Sequence, residues 1–124
     1  MRTNDCTPAV TAGRLAKGEE FYEAATAIDT LVEGFDSAAT LYIHAGIAAA
    51  DVLCCRTLGR HAQGQDHGAA VALVEKVDRA ASRHLGILLK YKTRAGYGSR
   101  PLSSTDYKRV QRAATHLIDL VGAG

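Results

Sequence analysis

The sequence predicts an all-α fold, an antiparallel up-and-down bundle of four to five helices. Apolar residues recur at three- and four-residue steps along most of the chain, which is the helical period. Hydrophobic residues make up 47% of the 124 residues and charged residues 23%, as expected of one folded soluble domain with a single core. The chain has two prolines and no tryptophan, and its β-branched residues do not alternate, which argues against a sandwich or barrel.

The first helix is predicted from Thr11 to Phe35, after a flexible N-terminus at residues 1–11. Residues 12–122 form the single predicted domain. The apolar positions of this helix recur at helical spacing and leave its glutamates to the solvent. They are Phe21, Ala25, Ile28, Val32 and Phe35.

The second helix is predicted to begin at Asp36, as the N-cap, and to end before Gly59. It is apolar nearly all round, so we expect it to be the central and most buried helix. Gly46, Ala50 and Cys54 form a ridge of small residues. Such a ridge permits close helix approach, either within the bundle or across the axis of a homodimer.

The third helix is predicted to begin at His67, after an Asp66 cap, and to continue to about Arg94. Gly86 lies inside it and marks a point where it could break. The last helix has the clearest start signal in the chain. Ser103 and Asp106 form a capping pair there, and Leu102 can pack on Tyr107. Gly122 ends the pattern.

The third helix also predicts a cationic surface. At about 100° per residue its Lys and Arg fall within an arc of about 60°, almost opposite its apolar residues. The predicted nucleic-acid-binding residues are Lys76, Arg79, Arg83, Lys90, Arg94 and, if the helix persists, Tyr97. Such a stripe can track phosphates. The alternative is an ordinary solvated helix face.

Charge is divided unevenly along the chain, although its net value is only +2. Residues 1–75 carry five Lys or Arg against ten acids, whereas residues 76–112 carry ten against two. This division indicates an anionic partner for the second half. Alternatively, the acidic and basic faces of two copies meet in a dimer.

Two polar residues, His44 and Asp51, are embedded in the apolar second helix. They are seven residues apart, two helical turns, and so lie on one face. A buried carboxylate requires a partner. His44, Arg56 or a residue of another helix are the candidates, and a structural hydrogen bond across the bundle is the favoured interpretation over a site-lining role.

The sequence predicts a cytoplasmic protein without a membrane span. Of three cysteines, Cys54 and Cys55 are adjacent, which does not suit a disulfide framework and favours a reducing compartment. The N-terminus lacks the apolar run of a signal peptide, and Asp51 interrupts the longest apolar segment. No motif for a metal or a phosphate-binding cofactor is found, so none is predicted.

Three segments carry a resemblance to a known family. They are HAGIAAADVLCCRTLG with its embedded Asp51, DHGAAVALVEKV opening at His67, and KTRAGYGSRPLSSTDYKRVQRAATHLIDLV with Tyr97 before the last helix. Together they resemble the HEPN family (higher eukaryotes and prokaryotes nucleotide-binding). The resemblance covers roughly residues 12–121.

The resemblance implies a helical bundle that is usually dimeric and is associated with RNA or a nucleotide. It also implies a toxin or defence component, with a nucleotidyltransferase or antitoxin as partner. Several members are metal-independent ribonucleases whose signature is an arginine, four to six residues, then a histidine. Arg60 and His67 match that spacing, although the best-known nucleases carry the pair later, where this chain has Arg94 to Tyr97 and no histidine.

The catalytic hypothesis therefore assigns His67 as the base that takes the 2′-hydroxyl proton and Arg60 as the cation that stabilises the phosphorane. The structural alternative is that both residues occupy ordinary helix ends. The alternative function is a non-catalytic dimeric interaction module whose basic face docks an acidic protein partner.

Overall fold

A computed structural model describes residues 2–64 and 66–122. The predicted all-α bundle is confirmed, because 78% of these described residues are helical, in five helices. Within the described residues the elements are β1 Thr3–Asp5, α1 Pro8–Leu31, α2 Asp36–Leu58, β2 Arg60–Ala62, α3 His67–Glu75, α4 Arg79–Tyr97 and α5 Ser104–Gly122.

The centre of the bundle is α2, as its apolar composition predicts. It contacts α1, α4 and α5, and twelve of its residues are buried. By length and composition α2 could also cross a membrane, but 67% of its most apolar stretch is buried against the other helices. A helix that is apolar all round is therefore accounted for here by its central position.

Gly59 ends α2 as predicted. Its φ is 73°, a left-handed conformation that favours glycine, and its amide donates to the Cys55 carbonyl at 3.0 Å. The start of α2 differs from the prediction. Phe35 takes the N-cap position, and Asp36 is the first helical residue. The Asp36 carboxylate accepts the Leu102 amide at 3.0 Å, so it secures the loop before α5 instead of capping its own helix.

The first helix is displaced towards the N-terminus. Thr7 caps it by accepting the Val10 amide at 3.1 Å, and Pro8 occupies the first turn, where its missing N–H costs nothing. The helix ends at Leu31. Val32 and Phe35, predicted to lie on its apolar face, therefore fall in the connection to α2 and are 44% and 51% exposed.

The expected flexible N-terminus at residues 1–11 is instead tied to the bundle in the described part. Thr3–Asp5 pairs antiparallel with β2, with Asp5 opposite Arg60. A disulfide joins Cys6 to Cys55. The cysteine pattern was therefore misinterpreted, because spacing along the chain does not show that β1 returns to the end of α2. The cytoplasmic location stays a prediction, but the cysteine pattern no longer supports it.

The ridge of small residues on α2 is buried in the interior of the bundle. Gly46, Ala50 and Cys54 are all buried. A Cβ on Gly46 would overlap Leu88 Cδ1 of α4 and lie 3.4 Å from Leu117 Cδ1 of α5. The ridge thus brings α2 close to α4 and α5 and is not available for a dimer interface. A homodimer stays a prediction, but it requires another surface.

The continuous helix predicted over residues 67–94 is broken at residues 76–78. Asp78 is extended, with φ −157°, and accepts the Ala81 amide at 2.8 Å as the N-cap of α4. An aspartate that caps a new helix competes with continuing the old one. Gly86, where a break was considered, lies within α4 and is helical. The break lets α3 fold back and pack on α4.

The start of α5 follows its prediction. The Asp106 amide donates to Ser103 Oγ at 3.1 Å, and Leu102 and Tyr107 are both buried in the same core. In the same first turn of α5, Tyr107 donates its hydroxyl to the Asp29 carboxylate of α1. This bond attaches the N-terminal end of α5 to α1.

Candidate functional site

The cationic surface predicted for the third helix is confined to α4. Four exposed side chains lie within an arc of about 60° and form what we call the basic face. They are Arg79, Arg83, Lys90 and Arg94. Ala81, Leu85 and Leu88 of the same helix are buried. The buried apolar residues and the basic face thus lie on different sides of α4.

The break in the predicted helix removes Lys76 from the basic face. Lys76 is exposed, but it lies in the turn between α3 and α4, so its angular position on a continuous helix does not apply. Tyr97 is the last residue of α4, five turns after Arg79, and is 87% exposed. The structure therefore keeps five of the six residues predicted to bind nucleic acid on one helix.

One acidic side chain adjoins the basic face. Asp106 of α5 lies 3.7 Å from Arg94 and 3.6 Å from Arg109, and accepts the Tyr91 hydroxyl at 2.8 Å. The hydrogen bond from Tyr91, with smaller effects of Ser103 and the two arginines, lowers the pKa of Asp106. This carboxylate offsets charge at the C-terminal end of α4, where Arg94 remains half exposed.

Two histidines stack where α4 meets α5. The rings of His84 and His116 are 4.1 Å apart, and Nδ1 of His84 is buried without a hydrogen-bond partner. Burial, His116 and Arg83 lower the pKa of His84, while Asp78 acts against them. The sequence pattern did not single out this pair, because it forms only when α5 packs antiparallel to α4.

A second candidate site is a cleft beside α2, made of two adjoining cavities. The inner cavity has a volume of about 210 Å³ and the outer one about 440 Å³. His67 and Lys92 line both. His67 begins α3 and Lys92 belongs to α4, so the cleft exists because α3 folds back against α4.

Asp51 lies at the inner cavity and confirms the favoured interpretation of a bond across the bundle. Its Oδ2 accepts Nε of Arg14 from α1 at 3.0 Å, and its Oδ1 lies 3.8 Å from Nδ1 of His61 in β2. Burial raises the pKa of Asp51, although Arg14 and His61 act against the rise. Because Asp51 also lines the cavity, the structural and site-lining interpretations both apply.

The hydrogen bond and ion pairs of Asp51 described above do not involve His44, which lies on the same face of α2 as Asp51. It lines the outer cavity, and its ring lies 5.6 Å from the Phe21 ring. Burial lowers the pKa of His44, and the nearby cations Lys92 and Arg14 lower it further. The two-turn spacing therefore placed both polar residues on one face of α2 correctly, and that face borders the cleft.

The proposed catalytic pair does not meet in the cleft. His67 lines both cavities, whereas Arg60 is not among their described lining residues. Arg60 lies in β2, half-buried and paired with Asp5 across the small sheet. Asp66 caps α3 by accepting the Ala69 amide at 2.9 Å, which gives His67 its predicted helix-end position. Ribonuclease activity by Arg60 and His67 stays a prediction.

Two cations that line the cleft, Arg14 and Lys92, were not predicted from the sequence, nor was the approach of His61 to Asp51. Arg14 and Lys92 are single cations within long helices, and no local motif distinguishes them. Cys54 also lines the inner cavity. Burial and Asp51 raise the pKa of this thiol to about 11, so it is protonated at neutral pH. No cluster of metal-binding side chains occurs among residues 2–64 and 66–122.

Comparison of the chain with protein-family models, curated proteins and solved structures finds no match. The resemblance to the HEPN family therefore stays a prediction that follows from three segments of the sequence. The same applies to the nucleotidyltransferase or antitoxin partner that the resemblance implies.

Proposed function

We propose that the protein binds RNA through the basic face of α4. The observation that carries the proposal is the arrangement of Arg79, Arg83, Lys90 and Arg94, four exposed cations within a single arc of a rigid helix. A row of cations spaced along a helix can contact successive phosphates, and the release of condensed counterions then drives binding.

Features next to the basic face favour RNA over an isolated anion. Tyr97 at the end of α4 exposes an aromatic ring, a group on which an unpaired base can stack. Lys108, Arg109 and Arg112 of α5 are exposed as well and extend the positive charge. Single-stranded RNA offers both phosphates and unstacked bases, so it matches this surface better than a duplex does.

The test is a titration of labelled single-stranded RNA at several salt concentrations. The variant Arg79→Gln/Arg83→Gln/Lys90→Gln is expected to lose at least about tenfold in affinity at low salt. Its dependence on salt should also weaken, because each lost phosphate contact removes about 0.7 from the slope of log K against log salt. Lys17→Gln on exposed α1 is the matched control and should behave as the unmodified chain.

The proposal fails if RNA does not bind at low salt, or if the triple variant binds as tightly as the control. In the first case the alternative gains support, an interaction module whose basic face docks an acidic protein. That alternative has one structural argument of its own. Glu19, Glu20 and Glu23 are exposed on α1, so a second copy of this chain presents an acidic surface. Light scattering would then show a dimer that dissociates as salt rises.

A further inference from the structure

The inner cavity of the cleft has mostly apolar walls. Side chains of α2, α3 and α4 supply them: Ile47, Ala50, Ala70, Val74, Leu85 and Leu89. Its volume of about 210 Å³ exceeds the roughly 150 Å³ of an engineered apolar cavity that binds benzene. The inner cavity therefore has room for one planar ring.

The outer cavity is lined by polar residues, by one lysine and by the aromatic Tyr97. Lys92, His44 and His67 line it together with the hydroxyls of Thr40 and Thr93. Burial is the main cause that lowers the pKa of His44, and the nearby cations Lys92 and Arg14 lower it further. An anion placed there would be attracted by Lys92 and would accept hydrogen bonds from the imidazoles and hydroxyls.

Asp51 does not cancel this attraction. Both Nε and an Nη of Arg14 lie 3.0 Å from its Oδ2, so its negative charge is already matched inside the cleft. Lys92 lines both cavities, so its ammonium group can attract an anion in either one.

We propose that the cleft binds a small molecule consisting of one planar ring and one anionic group. The ring occupies the inner cavity, and a carboxylate or phosphate occupies the outer cavity beside Lys92, His44 and His67. This site does not depend on RNA binding. Lys92 follows Arg83 by nine residues, two and a half turns, so it lies on the side of α4 opposite the basic face. The two proposed sites adjoin at the end of α4, where Tyr97 lines the outer cavity.

The experiment titrates the full chain calorimetrically with four compounds. Benzoate and phenyl phosphate carry a ring and an anion, inorganic phosphate carries only the anion, and benzyl alcohol only the ring. At least one ring-bearing anion should bind about tenfold or more tightly than inorganic phosphate and benzyl alcohol. Whichever of benzoate and phenyl phosphate binds more tightly identifies the anionic group.

Two variants locate the binding. Ala70→Phe fills the inner cavity from α3 and should abolish binding of the ring-bearing anion. Lys92→Gln should weaken that binding about tenfold and leave benzyl alcohol unaffected. Lys17→Gln, on the exposed side of α1 and outside the lining of both cavities, is the control and should leave the binding of all four compounds unchanged. Thermal unfolding of each variant verifies that it folds, and His67→Gln replaces Lys92→Gln if the latter does not.

A spectroscopic measurement gives an independent readout. A bound anion beside His44 should raise the pKa of this imidazole, observed by NMR titration of its ring signals, because it offsets the effect of Lys92 and Arg14. The proposal is overturned if no ring-bearing anion binds, if inorganic phosphate binds equally well, if Ala70→Phe leaves binding unchanged, or if the His44 signals do not respond.

Discussion

At the scale of single residues, Asp51 shows how a polar group is retained in an apolar helix. Its environment exerts opposing effects, burial against the carboxylate and Arg14 in its favour, and burial has the larger effect on the pKa. Because Arg14 only partly compensates the buried charge of Asp51, removal of Arg14 should lower the stability of the fold. Asp51 also faces a cavity, so the same carboxylate shapes the cleft.

Arg14→Ala should destabilise the protein more at pH 7 than at pH 3. The folded-state pKa of Asp51 lies above its ordinary 3.8. The stability that this shift contributes is therefore present below pH 3.8 and is lost as pH rises through the folded pKa. At pH 7 the removal of Arg14 leaves the ionised carboxylate without its partner, which should lower the free energy of unfolding by about 1–3 kcal/mol. Once Asp51 is protonated, the same substitution should cost less, because no charge is left without a partner.

Urea unfolding at the two pH values measures this difference. The control is Arg14→Ala/Asp51→Asn. Because it has no carboxylate at position 51, the loss of stability caused by the Arg14 substitution should be the same at pH 7 and at pH 3. Equal destabilisation by Arg14→Ala at both pH values would show that the ion pair makes no contribution to folding.

At the scale of elements, close approach of helices determines where the core lies. Gly46 is the point of contact between α2 and α4, where a methyl group would overlap Leu88, itself fully buried. Gly86 is a second helical glycine, in α4, but a Cβ at that position would meet nothing within 4 Å. Gly46 thus has no room for a side chain, whereas Gly86 has.

Gly46→Ala and Gly86→Ala should change stability in opposite directions. The first forces Leu88 out of its packed position and should cost about 1–3 kcal/mol. The second exchanges glycine for a better helix former without a clash and should stabilise the fold by about 1 kcal/mol. Denaturant midpoints of the two variants provide the measurement. A stabilising Gly46→Ala would mean that α2 and α4 are farther apart than described.

At the scale of the whole molecule, the disulfide between Cys6 and Cys55 joins the N-terminal strand to the end of the central helix. The bond connects residues 49 apart and thereby restricts the unfolded chain. It also holds β1 against β2, which lies next to the cleft through Ala62. The N-terminal segment is therefore part of the fold that supports the site.

Reduction of this disulfide should lower the free energy of unfolding by about 2–4 kcal/mol, because the unfolded chain regains the freedom that the closed loop denied it. Thermal unfolding with and without a phosphine reductant measures the effect. Cys6→Ala/Cys55→Ala is the control and should not respond to reductant. Three free thiols in the untreated protein, counted by mass spectrometry after alkylation, would contradict the bond.

The sequence by itself determined the helices that have strong local signals. The Gly59 terminus, the Asp66 cap and the Ser103 cap all form as predicted, because each depends on hydrogen bonds between residues within four positions. The central position of α2 was also readable, since a helix that is apolar all round must be surrounded. His44 and Asp51 were placed on one face for the same local reason, helical periodicity.

Only the tertiary structure decided the cleft, the disulfide and the separation of Arg60 from His67. Arg14 reaches Asp51 across 37 positions, and Cys6 reaches Cys55 across 49. No periodicity within a helix determines such distances, since they depend on how α1 packs on α2 and how β1 returns to β2. Local patterns set the elements, and packing between distant elements set the candidate site.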